Sequence, residues 1–159
     1  MRNSSSMPTA WQDNRMTETH SGCVLAIVGS RDVPDYQSSS LVKQAILEHK
    51  PKLVVSGGAH GVDSIAVVVA RSLGIPTIEF LPEMSTWDHQ GLIKEAIEIF
   101  DENGVTIKIP GGFKQRNMKV AEMCDCLVRI SSATTKTYGS GWTADYAERL
   151  GKRVHRHTV

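Results

Sequence analysis

Four short polar segments of this 159-residue chain combine glycine with residues that could bind an anion. They are residues 29–32 (GSRD), 56–61 (SGGAHG), 111–117 (GGFKQRN) and 138–143 (YGSGWT). Glycine permits positive φ angles and close approach of the backbone to a ligand, and the first N–H groups of a following helix favour negative charge. An arginine adds a planar charged fork that matches a phosphate. These residue types predict a site for a phosphorylated ligand.

Each segment taken alone also fits a turn in which glycine only satisfies backbone geometry, and Arg31 alone also fits a solvated loop cation. None of the segments is a Walker A loop, because no GK[ST] follows the glycines. No GxGxxG follows the first predicted strand either. Kinase-type phosphate loops and the ordinary dinucleotide fingerprint are therefore disfavoured.

Apolar runs and helical periodicity predict strands and helices that alternate along the chain. The predicted strands are residues 23–28, 53–55, 75–80, 105–109, 126–130 and 152–159. The predicted helices are residues 41–50, 65–73, 91–100 with a stop at Asn103-Gly104, a segment that begins at 113, and 144–151. This alternation predicts the α/β fold class, as a single doubly wound Rossmann-like domain with a mainly parallel sheet and helices on both faces.

In a doubly wound sheet, the turns that follow the strands gather along the carboxyl edge. The four polar segments would then meet there and form a groove with backbone amides along its floor. Such a groove suits the phosphates and ribose of a nucleotide. We therefore expect the partner to be a small phosphorylated nucleoside or nucleotide.

The composition limits the fold classes and partners that remain to be considered. Hydrophobic residues make up 40% of the chain, charged residues 22%, and the formal net charge is +1, which argues against disorder and makes nucleic acid an unlikely partner. We expect residues 1–20 to form a flexible N-terminal tail and residues 21–159 to form the nucleotide-binding domain. No apolar run has the length of a membrane span or a secretory signal, so we expect a cytoplasmic protein without a membrane partner.

The cysteines and histidines predict no cofactor and no metal. Cys23, Cys124 and Cys126 form no CxxC pattern and fit small reduced core residues. His155 and His157 would share one face of the last strand. Two histidines without a third ligand make a poor metal site.

Several segments resemble the SLOG superfamily of Rossmann-like nucleotide-binding proteins, in particular its YspA/YpsA-related branch. The resemblance extends from about Val24 to the C-terminus, and it rests on SGGAHGVDSIA, Trp87, RNMKVAEMCDCLVRI and GSGWTADYAERLGKRV. More distant similarity connects the chain to Lonely Guy phosphoribohydrolases and to DNA-processing proteins. The resemblance implies a first phosphate or ribose turn at Gly57, Gly58, Gly61 and Asp63, with Arg116 and Asn117 beside it, and a second turn at Gly139, Ser140, Gly141 and Thr143.

One departure from the family pattern concerns catalysis. The phosphoribohydrolases have a glutamate three residues after the threonine of their second turn, and here that position holds Tyr146. Asp145 and Glu148 are near but out of register, and one residue on a helix turns a side chain by about 100°. Catalytic residues therefore stay unknown, and enzymatic activity stays open.

The leading hypothesis is binding of a nucleotide or nucleotide derivative at the carboxyl edge of the sheet. One alternative is a phosphoribohydrolase that cleaves the N-glycosidic bond of a nucleoside monophosphate, and a second is single-stranded nucleic-acid binding. A homodimer is a possible assembly. The predicted nucleotide-binding residues are Gly29, Ser30, Arg31, Ser56, Gly57, Gly58, Gly61, Asp63, Arg116, Asn117, Gly139, Ser140, Gly141 and Thr143.

Overall fold

The computed structural model describes residues 22–59, 61–87, 97–101, 104–133 and 138–159, so the predicted tail at residues 1–20 lies outside the described residues. The strands are β1 (Val24–Gly29), β2 (Leu53–Ser56), β3 (Thr77–Pro82), β4 (Ile97–Asp101), β5 (Gly104–Ile109), β6 (Cys126–Ser131) and β7 (Arg153–Thr158). The helices are α1 (Asp35–His49), α2 (Val62–Ser72), α3 (Phe113–Met123) and α4 (Tyr138–Arg149).

All seven described strands belong to one sheet, in the order β4-β5-β3-β2-β1-β6-β7. Every neighbouring pair is parallel except β4 and β5, which are antiparallel. The predicted α/β fold with a mainly parallel, doubly wound sheet is confirmed.

The central strand β1 is buried on both faces because its apolar residues are continuous. Leu25 and Ile27 belong to a core cluster with residues of α1 and α2, whereas Ala26 and Val28 belong to a second cluster with residues of α3 and α4. Alternate residues of a strand point to opposite faces, so one unbroken apolar run supplies both clusters. This places α1 and α2 on one face of the sheet and α3 and α4 on the other.

The predicted helix at residues 91–100 is wrong in its described part. Residues 97–101 form β4, whose residue Asp101 pairs with Gly104 of β5, while residues 91–96 lie outside the described residues. The segment IEIFD fits period-2 alternation as well as a helical face, and periodicity over so few residues does not separate the two. Hydrogen bonding along β5 selects the strand, and Gly104, expected at a helix stop, begins that partner strand.

The segment expected as a second glycine turn is also different in the structure. Residues from Tyr138 onward are already helical and belong to α4. Glycine inside a helix costs roughly 1 kcal/mol relative to alanine. Ala144 and Ala147 are fully buried against the sheet, and this packing offsets the weak propensity of Gly139 and Gly141.

The order of the strands locates a crevice. From β1 the chain proceeds to β2 and β3 on one side, and of the described strands β6 and β7 lie on the other side of β1. At such a topological switch point the connections leaving the carboxyl ends diverge and leave space between them. Among the described residues, no helix is long and apolar enough to cross a membrane.

Candidate functional site

A cleft of about 410 Å³ lies at the carboxyl edge, above the end of β1. It occupies the switch point and is bordered by the start of α2, the start of α3 and the start of α4. Most of the predicted site residues line it, namely Gly29, Arg31, Gly57, Asp63, Arg116, Asn117, Gly139, Ser140 and Thr143.

Two buried ionisable side chains meet in this cleft from opposite faces of the sheet. Asp63 is in the first turn of α2 and Arg116 is in the first turn of α3. Each residue is 7% exposed. Arg116 Nη1 donates to the carbonyl oxygen of Gly57, and this hydrogen bond ties α3 to the turn after β2. The pair therefore joins the two helical layers at the sheet edge.

Burial raises the pKa of the Asp63 carboxyl from its ordinary value of 3.8 to about 6. The positive charge of Arg116 opposes this rise, as do N–H groups of Ala59 and Gly29 and the charge of Arg31. The N–H of Gly29 lies 3.2 Å from Asp63 Oδ1. A carboxyl with a perturbed pKa and a specific charged partner in a cleft is a mark of functional sites.

Arg116 and Asn117 present hydrogen-bond donors to the cleft. Burial lowers the pKa of the Arg116 guanidinium, Asp63 raises it and Arg31 lowers it. Arg116 Nε donates to Asn117 Oδ1 at 2.7 Å, which fixes the orientation of the Asn117 amide. Within the described part of the chain, Arg116 Nη2 and Asn117 Nδ2 have no acceptor, although Asn117 is only 8% exposed. Buried donors in this state favour an acceptor supplied by a ligand.

The helices that begin at this edge differ in how their first N–H groups are used. In α2, the N–H groups of Val62 and Ser64 donate to loop carbonyls at 3.3 and 3.0 Å, and in α3 the N–H of Lys114 donates to a loop carbonyl at 2.7 Å. Gly139 and Ser140 lie in the first turn of α4 and line the cleft. The start of α4 therefore places the positive end of its helix dipole at the cleft, where it favours an anion.

The remaining predicted residues do not line the cleft; they are Ser30, Ser56, Gly58, Gly61 and Gly141. Ser56 Oγ donates to the carbonyl oxygen of Asp63 at 2.9 Å and accepts the N–H of Gly58 at 3.1 Å. The Gly58 N–H is thus engaged inside the turn. These contacts position Asp63 rather than a ligand.

Two glycines permit close backbone approach beneath the cleft. A Cβ atom at Gly29 would lie 2.1 Å from the carbonyl oxygen of Ile130 on the neighbouring strand. Gly61 has a φ of +85°, and a Cβ there would lie 2.6 Å from the carbonyl oxygen of Ser30. Backbone packing therefore explains why both positions need glycine, independently of any ligand.

Aromatic residues at the cleft were not among the predicted binding residues. Trp87 lines the cleft, and its ring meets that of Trp142 edge to face at 5.6 Å. Trp142 stacks on Tyr146 at 5.1 Å, and the guanidinium of Arg149 lies 5.7 Å from the Tyr146 ring. We call these four residues the aromatic ladder. Spacing along α4 could have indicated the Trp142–Tyr146 pair, whereas the contact with Trp87 is tertiary.

The two carboxylates weighed for hydrolysis lie outside the cleft. Asp145 and Glu148 accept hydrogen bonds from Arg156 at 2.9 and 3.4 Å, and their side chains are 63% and 61% exposed. Their turn of α4 faces β7 rather than the cleft. Asp63, in contrast, lines the cleft and acts electrostatically on Arg116.

The switch-point cleft and the doubly wound sheet define a Rossmann-like α/β protein. The predicted membership of the SLOG superfamily is supported by the match to a family model. Residues 11–158 match the family model described as DNA recombination-mediator protein A, and the chain belongs to that family. Comparison with curated protein sequences finds no match.

Solved structures share the fold at low sequence identity. DNA processing protein A from Streptococcus pneumoniae matches with a TM-score of 0.61 and 21% identity over 85% of this chain and 50% of its own. DNA processing protein A from Helicobacter pylori matches with a TM-score of 0.57 and 20% identity over 89% and 68%. The molybdenum cofactor carrier protein from Chlamydomonas reinhardtii matches with a TM-score of 0.60 and 18% identity over 87% and 78%.

The chain spans half the length of the Streptococcus pneumoniae protein that it matches. The Helicobacter pylori protein binds single-stranded DNA. The prediction that nucleic acid is an unlikely partner, drawn from the net charge of +1, conflicts with this relative. Net charge is a poor guide here because local cations, such as Arg31 and Arg116 in the cleft, act at short range.

Proposed function

We propose that the cleft binds a nucleotide or nucleotide derivative, with a phosphate at the start of α4 and the sugar near Asp63 and Asn117. The observation that carries the proposal is the pair of buried donors, Arg116 Nη2 and Asn117 Nδ2, in a cleft bordered by the first turn of α4. An anionic ligand would supply acceptors to these donors, which have none among the residues that the structure describes.

The two arginines of the cleft support the binding of an anion. Arg31 and Arg116 line it together with Asp63 and Asp32. Near neutral pH the raised pKa of Asp63 weakens its negative charge relative to an ordinary aspartate. A ligand phosphate would meet two arginines, and a bound anion would stabilise their charged forms.

A thermal-shift series tests this proposal with nucleoside monophosphates, nucleoside di- and triphosphates, ADP-ribose and unphosphorylated nucleosides at about 1 mM and above. We expect a rise in Tm for at least one phosphorylated ligand and none for its nucleoside. The exposed Arg31 is the variant of choice, because Arg31→Ala leaves the buried pair intact. The affinity of the Arg31→Ala variant for the phosphorylated ligand should fall roughly 5- to 30-fold, as for a lost charge-assisted hydrogen bond. Lys43→Ala, which changes an exposed residue of α1, should match wild type. The absence of a shift with every phosphorylated ligand would reject the proposal.

A second candidate is single-stranded nucleic acid, favoured by the aromatic ladder. Trp87 is 41% exposed at the cleft, and Trp142 supports it from behind. Bases of a single strand stack on such rings at about 1–3 kcal/mol per base. One nucleotide could occupy the cleft while its neighbour stacks on Trp87, which agrees with the DNA binding of the Helicobacter pylori relative.

Strand length separates the two candidates. If a strand is the ligand, affinity should rise steeply from a mononucleotide to an oligonucleotide, and Trp87→Ala should lower oligonucleotide affinity by about 5- to 100-fold. Tyr36→Ala, which removes another exposed aromatic ring on α1, is the matched control. If mononucleotides and oligonucleotides bind with equal affinity per phosphate, or if Trp87→Ala and Tyr36→Ala have equal effects, single-stranded nucleic acid is excluded as the ligand. The free nucleotide then remains as the candidate.

Hydrolysis of an N-glycosidic bond would need a carboxylate at the ligand, and the helix carboxylates face Arg156 instead. Asp63 is the described residue with a suitable position, and its pKa near 6 fits a proton donor or acceptor. Chromatography of wild type and Asp63→Asn with a nucleoside monophosphate tests this activity. Release of free base by wild type alone would establish it, and no release would restrict the cleft to binding.

A further inference from the structure

A second group of side chains lies at the amino edge of the sheet, on the opposite edge from the cleft. His49 ends α1, Cys126 begins β6 and His155 is on β7. One ligand atom from each residue lies within 4.8 Å of the others. Cys126 is fully buried and His49 is 6% exposed, whereas His155 is exposed on the edge strand.

A hydrogen bond prepares His49 for metal binding. His49 Nδ1 lies 2.9 Å from the carbonyl oxygen of Ala45. A carbonyl only accepts, so Nδ1 carries the proton and the lone pair is on Nε2. Metal-binding histidines commonly donate their other ring N–H to a backbone carbonyl in this way. The rings of His49 and His155 meet edge to face with centroids 5.4 Å apart.

The surrounding charges act on the other two groups in opposite ways. Burial lowers the pKa of His155, the neighbouring His49 lowers it further, and the charge of Glu48 opposes this change. Burial raises the pKa of the Cys126 thiol, and the charge of Arg153 opposes that rise. Glu48 is near enough to act on both groups and lines the same surface cavity as His49 and His155. Metal binding would displace the thiol proton.

The donor set fits zinc chemistry. One thiolate and two imidazoles are ligands that Zn²⁺ prefers, at about 2.3 Å for sulfur and about 2.0 Å for nitrogen. Tetrahedral ligation at these lengths separates ligand atoms by about 3.3–3.8 Å. Ligand atoms that are up to 4.8 Å apart must approach by about 1–1.5 Å, which the exposed His155 can provide by rotating its side chain.

We propose that His49, Cys126 and His155 form a Zn²⁺ site that ties edge strand β7 to α1 and the centre of the sheet, with Glu48 or water in the fourth position. The expectation that His155 lacks a third ligand is thereby revised, because its partners come from α1 and β6 rather than from its own strand. The site is independent of the proposed nucleotide cleft. It would protect an exposed edge strand from fraying.

Cobalt substitution tests the site with the full chain after treatment with a chelator. Co²⁺ bound by a thiolate in tetrahedral geometry gives a sulfur-to-metal charge-transfer band and intense visible d–d bands. We expect these bands for wild type at one equivalent and their displacement by Zn²⁺. His155→Ala should weaken binding at least about tenfold, and His157→Ala, two residues away on the same strand face, should behave as wild type. Cys126→Ala should abolish the charge-transfer band.

A second measurement guards against misfolding of the variants. Zn²⁺ should raise Tm for wild type and His157→Ala, but not for His155→Ala, whose exposed position leaves the apo fold intact. Octahedral cobalt spectra in wild type, a band that survives Cys126→Ala, or equal responses of the two histidine variants would each overturn the proposal.

Discussion

Replacing Arg116 with methionine is expected to destabilise the protein by about 3–5 kcal/mol at neutral pH, because the substitution leaves the buried Asp63 carboxylate without its cation. It also leaves the Gly57 carbonyl without its donor. Urea denaturation of wild type, Arg116→Met, Asp63→Asn and the double variant measures the effect. The double variant should recover about 2 kcal/mol relative to simple additivity.

The pH dependence of the stability lost in Arg116→Met identifies the cause of that loss. Without Arg116 the pKa of Asp63 lies above its wild-type value of about 6. At about pH 5 the carboxyl is then protonated and needs no cation, so the loss should shrink relative to about pH 7.5. Lys43→Met, an exposed cation-to-methionine change, controls for the substitution itself. A loss that is equal at both pH values and is not relieved by Asp63→Asn would mean that Arg116 acts only through packing.

Asp63→Asn by itself is expected to flatten the dependence of stability on pH between about 4 and 7. The folded-state pKa of Asp63 is raised above 3.8, so its contribution is fully present below the unfolded pKa and is lost as pH rises through about 6. A shift of this size corresponds to about 3 kcal/mol. The stability of the variant minus that of wild type should therefore increase by about that amount across this range.

Denaturation at a series of pH values measures this difference. Asp32→Asn removes an exposed carboxylate from the same cleft and controls for the loss of a negative charge there. Parallel profiles for wild type and Asp63→Asn would show that Asp63 ionises as readily in the folded state as in the unfolded chain. The predicted difference would instead mean that the natural Asp63 lowers the stability of wild type at neutral pH. A destabilising carboxylate in this position would support a role for Asp63 in the cleft.

Much of the fold followed from local sequence. The unbroken apolar run that became β1 predicted a strand covered on both faces, and the small polar residues after it predicted a carboxyl-edge turn. Those signals are local because a side chain's burial on a given face depends on residue type and spacing. Residues 97–101 were predicted wrongly from local sequence. A short segment that fits both strand and helix periodicity becomes a strand only when a partner such as β5 is present.

The candidate site also combines features that the sequence predicted with features that only the structure shows. Residue types indicated Arg116 and the α4 segment as able to bind an anion, and the family resemblance implied Asp63 at a phosphate or ribose turn beside them. They did not indicate that Arg116 bonds to the Gly57 carbonyl or that burial raises the pKa of Asp63 to about 6. Burial and charge pairing arise from elements on opposite faces of the sheet, and such contacts have no sequence spacing that could predict them.

The sequence by itself determined which turns carry glycine, arginine and aspartate and that these turns share one edge of a parallel sheet. Only the tertiary structure showed that the first N–H groups of α2 and α3 donate to neighbouring loops and that the first turn of α4 lines the cleft. It also decided that His49 and Cys126 join His155. Such groupings depend on the packing of helices against the sheet, since residues far apart in the chain become neighbours only when the core forms.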